Sequence, residues 1–400
     1  MTSTFLSDHM ARRMMGHVAG ERELLLALAE GIPDLVRLGR GDPDLDTPEH
    51  IVEAAVTALR GGSTHYTHWA GLRQLRRAIA EKLRADNHVG YDPETEIIVT
   101  TGVQEGIYLA CQALLNPGDE VLIGDPCYTS YADAVAFAEG RLIRVPTDEK
   151  DDFILQPDLV LEHLTPRAKV VVLVSPNNPT GAVLPEKTLE QFAQIAQERN
   201  LIVLSDEIYE KLVFDGTRHV SISSFPEMRE RVVLLNGFSK SYAMTGWRVG
   251  YLAAPATFVS RCEVLKHALT ISVSHVAQAA AIAALEGGDA CVLKAVEVYA
   301  ARRRMAMPKL SAMGLTYGYP GGTYYIFVNI TSVGRTSYEF CKDILRDAKV
   351  QLFPGTVYGK GEGFVRFSLS APLPKLQDAF SRIGECVDRY RRERISQLRL

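Results

Sequence analysis

A lysine that leaves an apolar, strand-like run beside a glycine and two serines is placed to be buried. Lys240 does this in LLNGFSKSYAMTGWRVGYLA, with Arg248 eight residues on. Burial disfavours an ammonium and lowers its pKa, and a neutral amine can attack an aldehyde. A lone loop lysine more often makes a surface ion pair; here the surrounding segment favours chemistry. Asp206 directly follows the apolar run LIVLS and falls at a buried strand end. An unpaired carboxylate is costly there and needs a fixed positive partner, which the protonated ring nitrogen of a bound cofactor would supply. Without Lys240, a helix N-cap opening EIYEKLV would be the favoured account of the aspartate. Tyr209, three residues on, lies on the same face of the following turn and can aim its hydroxyl at the same ligand.

Two further segments bring polar groups to strand ends. In SPNNPTGAVL, Asn177 and Asn178 occupy a proline- and glycine-bounded turn whose amide side chains can face inward, although turn chemistry alone explains half of the motif. In TTGVQEGIYLA, Thr101 and Gly102 precede a helix whose unpaired backbone donors and dipole favour a phosphate. That signal is weak alone, because many helices open on Thr or Gly.

The elements that must position these groups follow from hydrophobic periodicity. From Glu96 the chain alternates short β-branched runs (EIIVT, EVLIG, AKVVVLV, LIVLS, VVLLN) with longer amphipathic ones such as VQEGIYLACQALL, a stretch from Tyr128, and LEQFAQIAQER. This predicts α/β layers around a buried, largely parallel sheet, with ligands at the carboxyl ends of the strands. The polar clusters 101–104, 125–128, 176–181, 206–209 and 239–240 each follow an apolar run, so they can converge. After about Leu285 the pattern changes to a charged helical stretch through ARRRM, then TYYIFVNI, a helix near 338–348, FVRFSL and a last helix from Pro374. The expected organisation is a large cofactor-binding domain over 51–285 and a smaller α+β domain over 286–400, joined by the N-terminal segment 1–50.

Bulk properties exclude some functions. A chain of 400 residues, 46% hydrophobic, can bury a large core, and a formal charge of −4 lacks the basic excess that nucleic acid requires. The six cysteines show no metal-ligand spacing and are expected as free thiols. The N-terminus MTSTFLSDHMARRMMGH lacks the apolar core of a secretory signal, and no stretch approaches the ~20 apolar residues of a membrane span, so a cytoplasmic protein is expected.

Together these residues resemble the class I and II aminotransferases, fold type I pyridoxal-phosphate enzymes of the aspartate aminotransferase type, from about Leu38 to Leu369. The resemblance implies a three-layer α/β domain with a mostly parallel sheet binding pyridoxal phosphate, plus a smaller α+β domain. Lys240 would carry the cofactor as a Schiff base, Arg248 clamp its phosphate, Asp206 keep its ring nitrogen protonated, and Tyr209 and Asn178 bond its phenolic oxygen. Tyr128 in DPCYTSY would stack on the ring. Gly102, Val103 and Gln104 match the phosphate-cradling turn. Tyr66 in HYTHWAGL is similar to the tyrosine that reaches the neighbouring subunit's phosphate, which implies a homodimer with shared sites. Arg366 in GFVRFSLS resembles the arginine that grips the substrate α-carboxylate, and Gly41 the glycine that lets it approach.

The implied activity is ping-pong transfer of an amino group from an L-amino acid to a 2-oxo acid, without a metal. A C–S lyase on the same scaffold is the alternative, since fold does not fix function. An effector-sensing domain of a regulator would need an added helix-turn-helix, for which this chain has no room. Two departures stand out: Gly237 replaces a serine common three residues before the lysine, leaving Ser239 or Ser241 to compensate, and TISVSHVAQAA carries Ser274 and His275 where Asn-Pro is frequent. Arg40, between Gly39 and Gly41, either turns inward to meet a polar substrate side chain, or snorkels to solvent or pairs with Asp42 or Asp44.

Overall fold

The computed structural model describes residues 9–11, 14 and 20–397. Most of the N-terminal stretch read above for a secretory signal lies outside the described residues, as do 398–400. Strand β1 (Val36–Arg37) precedes the seven strands of the central sheet: β2 (Ile97–Thr100), β3 (Glu120–Asp125), β4 (Arg141–Pro146), β5 (Ala168–Val174), β6 (Ile202–Asp206), β7 (Val232–Gly237) and β8 (Gly250–Ala253). Their order is β2-β8-β7-β6-β5-β3-β4, and all neighbours pair in parallel except those of β8, which runs antiparallel to both β2 and β7. The alternation did not mark β8, a four-residue strand that immediately follows Arg248 and Val249.

The runs are β-branched and buried because both sheet faces are covered. Val171 and Leu173 of β5 point into one apolar cluster, while Val170, Val172 and Val174 point into another. Helices such as Glu186–Glu198 cover the first face, and Val103–Leu114 with Ala256–Leu269 cover the second. This is the expected three-layer arrangement. The run EIYEKLV forms no helix: residues 208–211 make turns, and the Asp206 carboxylate accepts the Ile208 N–H at 3.3 Å.

Four later strands, β9 (Thr316–Tyr317), β10 (Tyr325–Asn329), β12 (Phe353–Pro354) and β13 (Phe364–Ser368), form an antiparallel sheet in the order β12-β13-β10-β9. Between them β11 (Val350–Gln351) pairs in parallel with β1, Val36 opposite Val350. Backbone near the N-terminus is thereby fastened to the C-terminal sheet, and residues 38–42 lie across from β10 and β13. Register sets Arg366 opposite Phe327, and in the central sheet it sets Asp206 between the ends of β5 and β7, opposite Val174 and Leu235. The carboxyl ends of the parallel strands therefore face the second sheet.

Among the described residues no single helix is long and apolar enough to cross a membrane.

Candidate active site

A cavity of about 630 Å³ lies between the strand ends and the second sheet, lined by residues from both. Lys240, three residues past the end of β7, reaches into it and donates from Nζ to the Gly41 carbonyl at 2.7 Å. Burial lowers its pKa, as expected for an amine that must be neutral to react. Gly41 has no room for a side chain, because a Cβ there would collide with the Tyr325 hydroxyl.

Asp206 ends β6 with its carboxylate turned into the same cavity. Burial pushes its pKa up to about 6; the Tyr131 hydroxyl, donating to Oδ2 at 2.8 Å, and the Ile208 N–H act against that rise. Tyr131 is itself fully buried. The Tyr209 and Tyr325 hydroxyls lie 3.0 Å apart, and the Lys240 ammonium is 5.8 Å from the Tyr209 ring centre.

At one end of the cavity, Gly102 sits at φ 73° as the N-cap of helix Val103–Leu114. A Cβ at 102 would lie 2.6 Å from Arg248 Nη2, so glycine leaves the gap into which the guanidinium fits. Arg248, in the left-handed region at φ 56°, donates to the Thr245 carbonyl at 3.0 Å. Beneath this turn the buried Glu105 carboxylate accepts the Thr101 N–H at 2.5 Å, the Thr270 hydroxyl at 2.5 Å and the Lys266 ammonium at 2.8 Å. Burial would raise the Glu105 carboxyl, but the Lys266 charge together with the hydrogen bonds from Lys266, Thr270 and the Thr101 N–H outweighs it and keeps the carboxyl low. Tyr128, whose hydroxyl donates to Gln104 at 3.2 Å, and Val103 line the adjoining wall with Ser239.

At the other end Arg366 is buried between the Tyr325 and Tyr358 rings, its guanidinium carbon 4.2 and 4.8 Å from their centres. It donates to Asn178 Oδ1 at 2.8 Å and to the Gly39 carbonyl at 2.5 Å, while its Nε is buried without a partner. Neutral acceptors and an orphan donor leave the guanidinium available for an anion.

The sequence-derived residues thus converge on the cavity, Gly102 only through its contact with Arg248, and Tyr66 is the exception. Tyr66 is 80% exposed and does not line this chain's cavity. Ser274 caps helix His275–Glu286 and, like His275, stays out of the lining. Gly237 has a steric reason: a Cβ there would lie 2.8 Å from the Gly250 Cα, so no serine fits between β7 and β8. Arg40 lines the cavity, and neither proposed partner is free: Asp42 accepts the Thr245 hydroxyl at 2.6 Å, and Asp44 holds Arg302 at 2.5 and 2.8 Å. Residues that sequence reasoning missed are Arg22, Tyr131, Tyr325, Tyr358 and the Glu105–Lys266 pair, and only the tyrosine in DPCYTSY carried any local signal.

This donor set fits pyridoxal phosphate. A glycine-shaped gap backed by an arginine and a helix N-terminus suits a phosphate, a buried carboxylate suits a ring nitrogen, and the Lys240 amine lines the same cavity. The model of the family "Aminotransferase class I and II" matches residues 33–383. An aspartate aminotransferase of Pyrococcus abyssi is 42% identical over 369 residues, covering 91% of this chain and 94% of that protein. An aromatic-amino-acid aminotransferase 2 of Thermococcus litoralis is 41% identical over 366 residues, covering 91% and 94%. The crystal structure of an aromatic aminotransferase from Pyrococcus horikoshii superposes with a TM-score of 0.86 at 42% identity, covering 91% of this chain and 99% of that one.

Proposed function

The chain belongs to the class I and II aminotransferases and is a pyridoxal-phosphate-dependent aminotransferase, and from that premise we propose which of its residues do the work. Its substrates are amino acids and 2-oxo acids. When bound, the cofactor supplies an electron sink that makes the α-proton of a substrate amino acid acidic.

Lys240 holds the cofactor and then serves as the base, its buried Nζ taking the proton from the substrate α-carbon and delivering it back on the other side of the transfer. Asp206, ionised when a positive ring nitrogen replaces the water it has lost, keeps that nitrogen protonated. Tyr209 and Asn178 bond the phenolic oxygen and Tyr128 stacks on the ring. Gly102, Val103, Gln104 and Ser239 surround the phosphate, with Arg248 as its counter-charge. Arg366 exchanges its two neutral acceptors for the substrate α-carboxylate beside Gly41. The amino group leaves with one half-reaction and returns with the next. The relatives named above are aminotransferases, so transamination is retained over β-elimination.

Tyr66, exposed on one subunit, completes the phosphate site of a second, which makes the working unit a homodimer. Residues 51–285 form the cofactor domain, and 286–400 with the N-terminal segment 1–50 the smaller one. The six free cysteines suit a reducing cytoplasm.

The observation that carries the reading is the Lys240 amine, buried in the cavity that also holds Asp206 and Arg366. Borohydride reduction of the holoenzyme followed by peptide mapping is expected to place the cofactor adduct on Lys240; an adduct on another lysine rejects it.

A further inference from the structure

The cavity lining carries five cationic side chains, Arg22, Arg40, Lys240, Arg248 and Arg366, against two carboxylates, Asp42 and Asp206. The roles proposed above use Lys240, Arg248, Arg366 and Asp206. Arg22 and Arg40 remain, and neither forms an ion pair among the described residues. The carboxylates nearest in sequence to Arg40 are held elsewhere, Asp42 by the Thr245 hydroxyl and Asp44 by Arg302. Arg22, on helix Glu21–Leu28, has its guanidinium carbon 5.7 Å from the centre of the Phe353 ring, a contact that stations the charge without neutralising it. Phe353 also packs against Gly39, where a Cβ would lie 3.0 Å from its ring, so the aromatic ring braces both the helix bearing Arg22 and the backbone bearing Arg40.

We propose that Arg22 and Arg40 form a subsite for a second, distal carboxylate, so that this aminotransferase selects dicarboxylic amino acids and 2-oxo acids. The inference rests on the reading above, in which Arg366 takes the α-carboxylate. Two guanidiniums beside one engaged carboxylate leave a net positive wall, and planar donor forks match a carboxylate. An aliphatic or aromatic side chain in the same place would desolvate these charges without replacing their hydrogen bonds, which penalises it. Selectivity therefore comes from cations on the N-terminal side of the cleft.

The test compares succinate with butyrate, two four-carbon acids without an amino group that differ by one carboxylate, binding to the holoenzyme by isothermal titration calorimetry. Wild type is expected to prefer succinate by roughly tenfold to a hundredfold, the range of a charged hydrogen-bonded contact. Arg40→Ala is expected to lose most of that preference, Arg22→Ala part of it, and Arg40→Lys to retain part, because charge survives without the fork. Aspartate against alanine in single-turnover kcat/KM is expected to follow the same order. A wild type without preference overturns the proposal, as does a preference that persists in the Arg22→Ala/Arg40→Ala double variant. The Lys240 adduct is scored on the same preparations: adduct present with preference absent overturns the subsite alone, whereas adduct absent overturns the reading beneath it.

Discussion

Replacing Tyr131 by Phe removes a single hydroxyl, and the structure gives the size of the effect. That hydroxyl donates to Asp206 Oδ2 at 2.8 Å with both side chains buried, so no water stands ready to replace it. A hydrogen bond to a charged acceptor contributes ~1.5–3 kcal/mol, equivalent to roughly one to two pH units in the acceptor's titration. Burial already raises Asp206 to about 6, with Tyr131 acting against the rise. In Tyr131→Phe the carboxyl therefore titrates near or above neutrality. In the role proposed for Asp206, cofactor binding needs the ionised form, since the ring nitrogen would meet a negative charge. The sign follows: affinity falls as pH drops through the Asp206 pKa and recovers above it. Wild-type apoenzyme titrated with pyridoxal phosphate by fluorescence quenching is expected to weaken only toward pH 6 and below. The variant is expected to bind roughly tenfold more weakly at pH 7 and to approach wild-type affinity near pH 9. Coincident midpoints would refute the reasoning, as would a loss of affinity independent of pH, which marks a packing defect.

Two further outcomes are expected. Lys266→Met leaves Glu105 buried and uncompensated beneath the phosphate turn, a loss of about 3–5 kcal/mol in denaturant unfolding, and Lys266→Met/Glu105→Gln is expected to recover most of it while remaining weakened in pyridoxal phosphate affinity, because the neutral amide holds the Thr101 N–H less firmly. Mixing Lys240→Ala chains with Tyr66→Phe chains is expected to restore activity through heterodimers with one intact site; no recovery despite proven subunit exchange would rule out Tyr66 acting across the interface.

The legible part of the site was the part coupled to strand ends. Lys240, Asp206, Asn178 and Gly102 each follow an apolar run within a few residues, so recognising the run places the residue at the same edge of a parallel sheet. Contacts between distant segments left no such trace. Tyr131 meets Asp206 across 75 positions, Tyr325 meets Tyr209 across 116, and Lys266 meets Glu105 across 161. Lys266 sits in the helical run CEVLKHAL, yet it is fully buried, because its partner rather than its neighbours determines its environment. EIYEKLV misleads for a related reason: its helical pattern yields to tertiary pairing, with Val213 bridged to Gly322 and the Asp206 carboxylate taking the first free N–H.

The two-residue pairing of β1 with β11 has a consequence for how such a protein can change over generations. Residues 39–42 line the cavity yet stand outside the seven-stranded sheet, fastened by a short parallel ladder and by the Ser368 N–H bonded to the Leu38 carbonyl at 2.7 Å. Arg22 and Arg40 are exposed and form no ion pair among the described residues, so a substitution at either position is expected to have a small effect on folding. Lys240 and Asp206 have less latitude, Asp206 ending a buried strand and Lys240 following three residues after another. On the roles proposed above, substrate choice and chemistry would then sit on separately tethered pieces of chain, so that one could change while the other stays fixed.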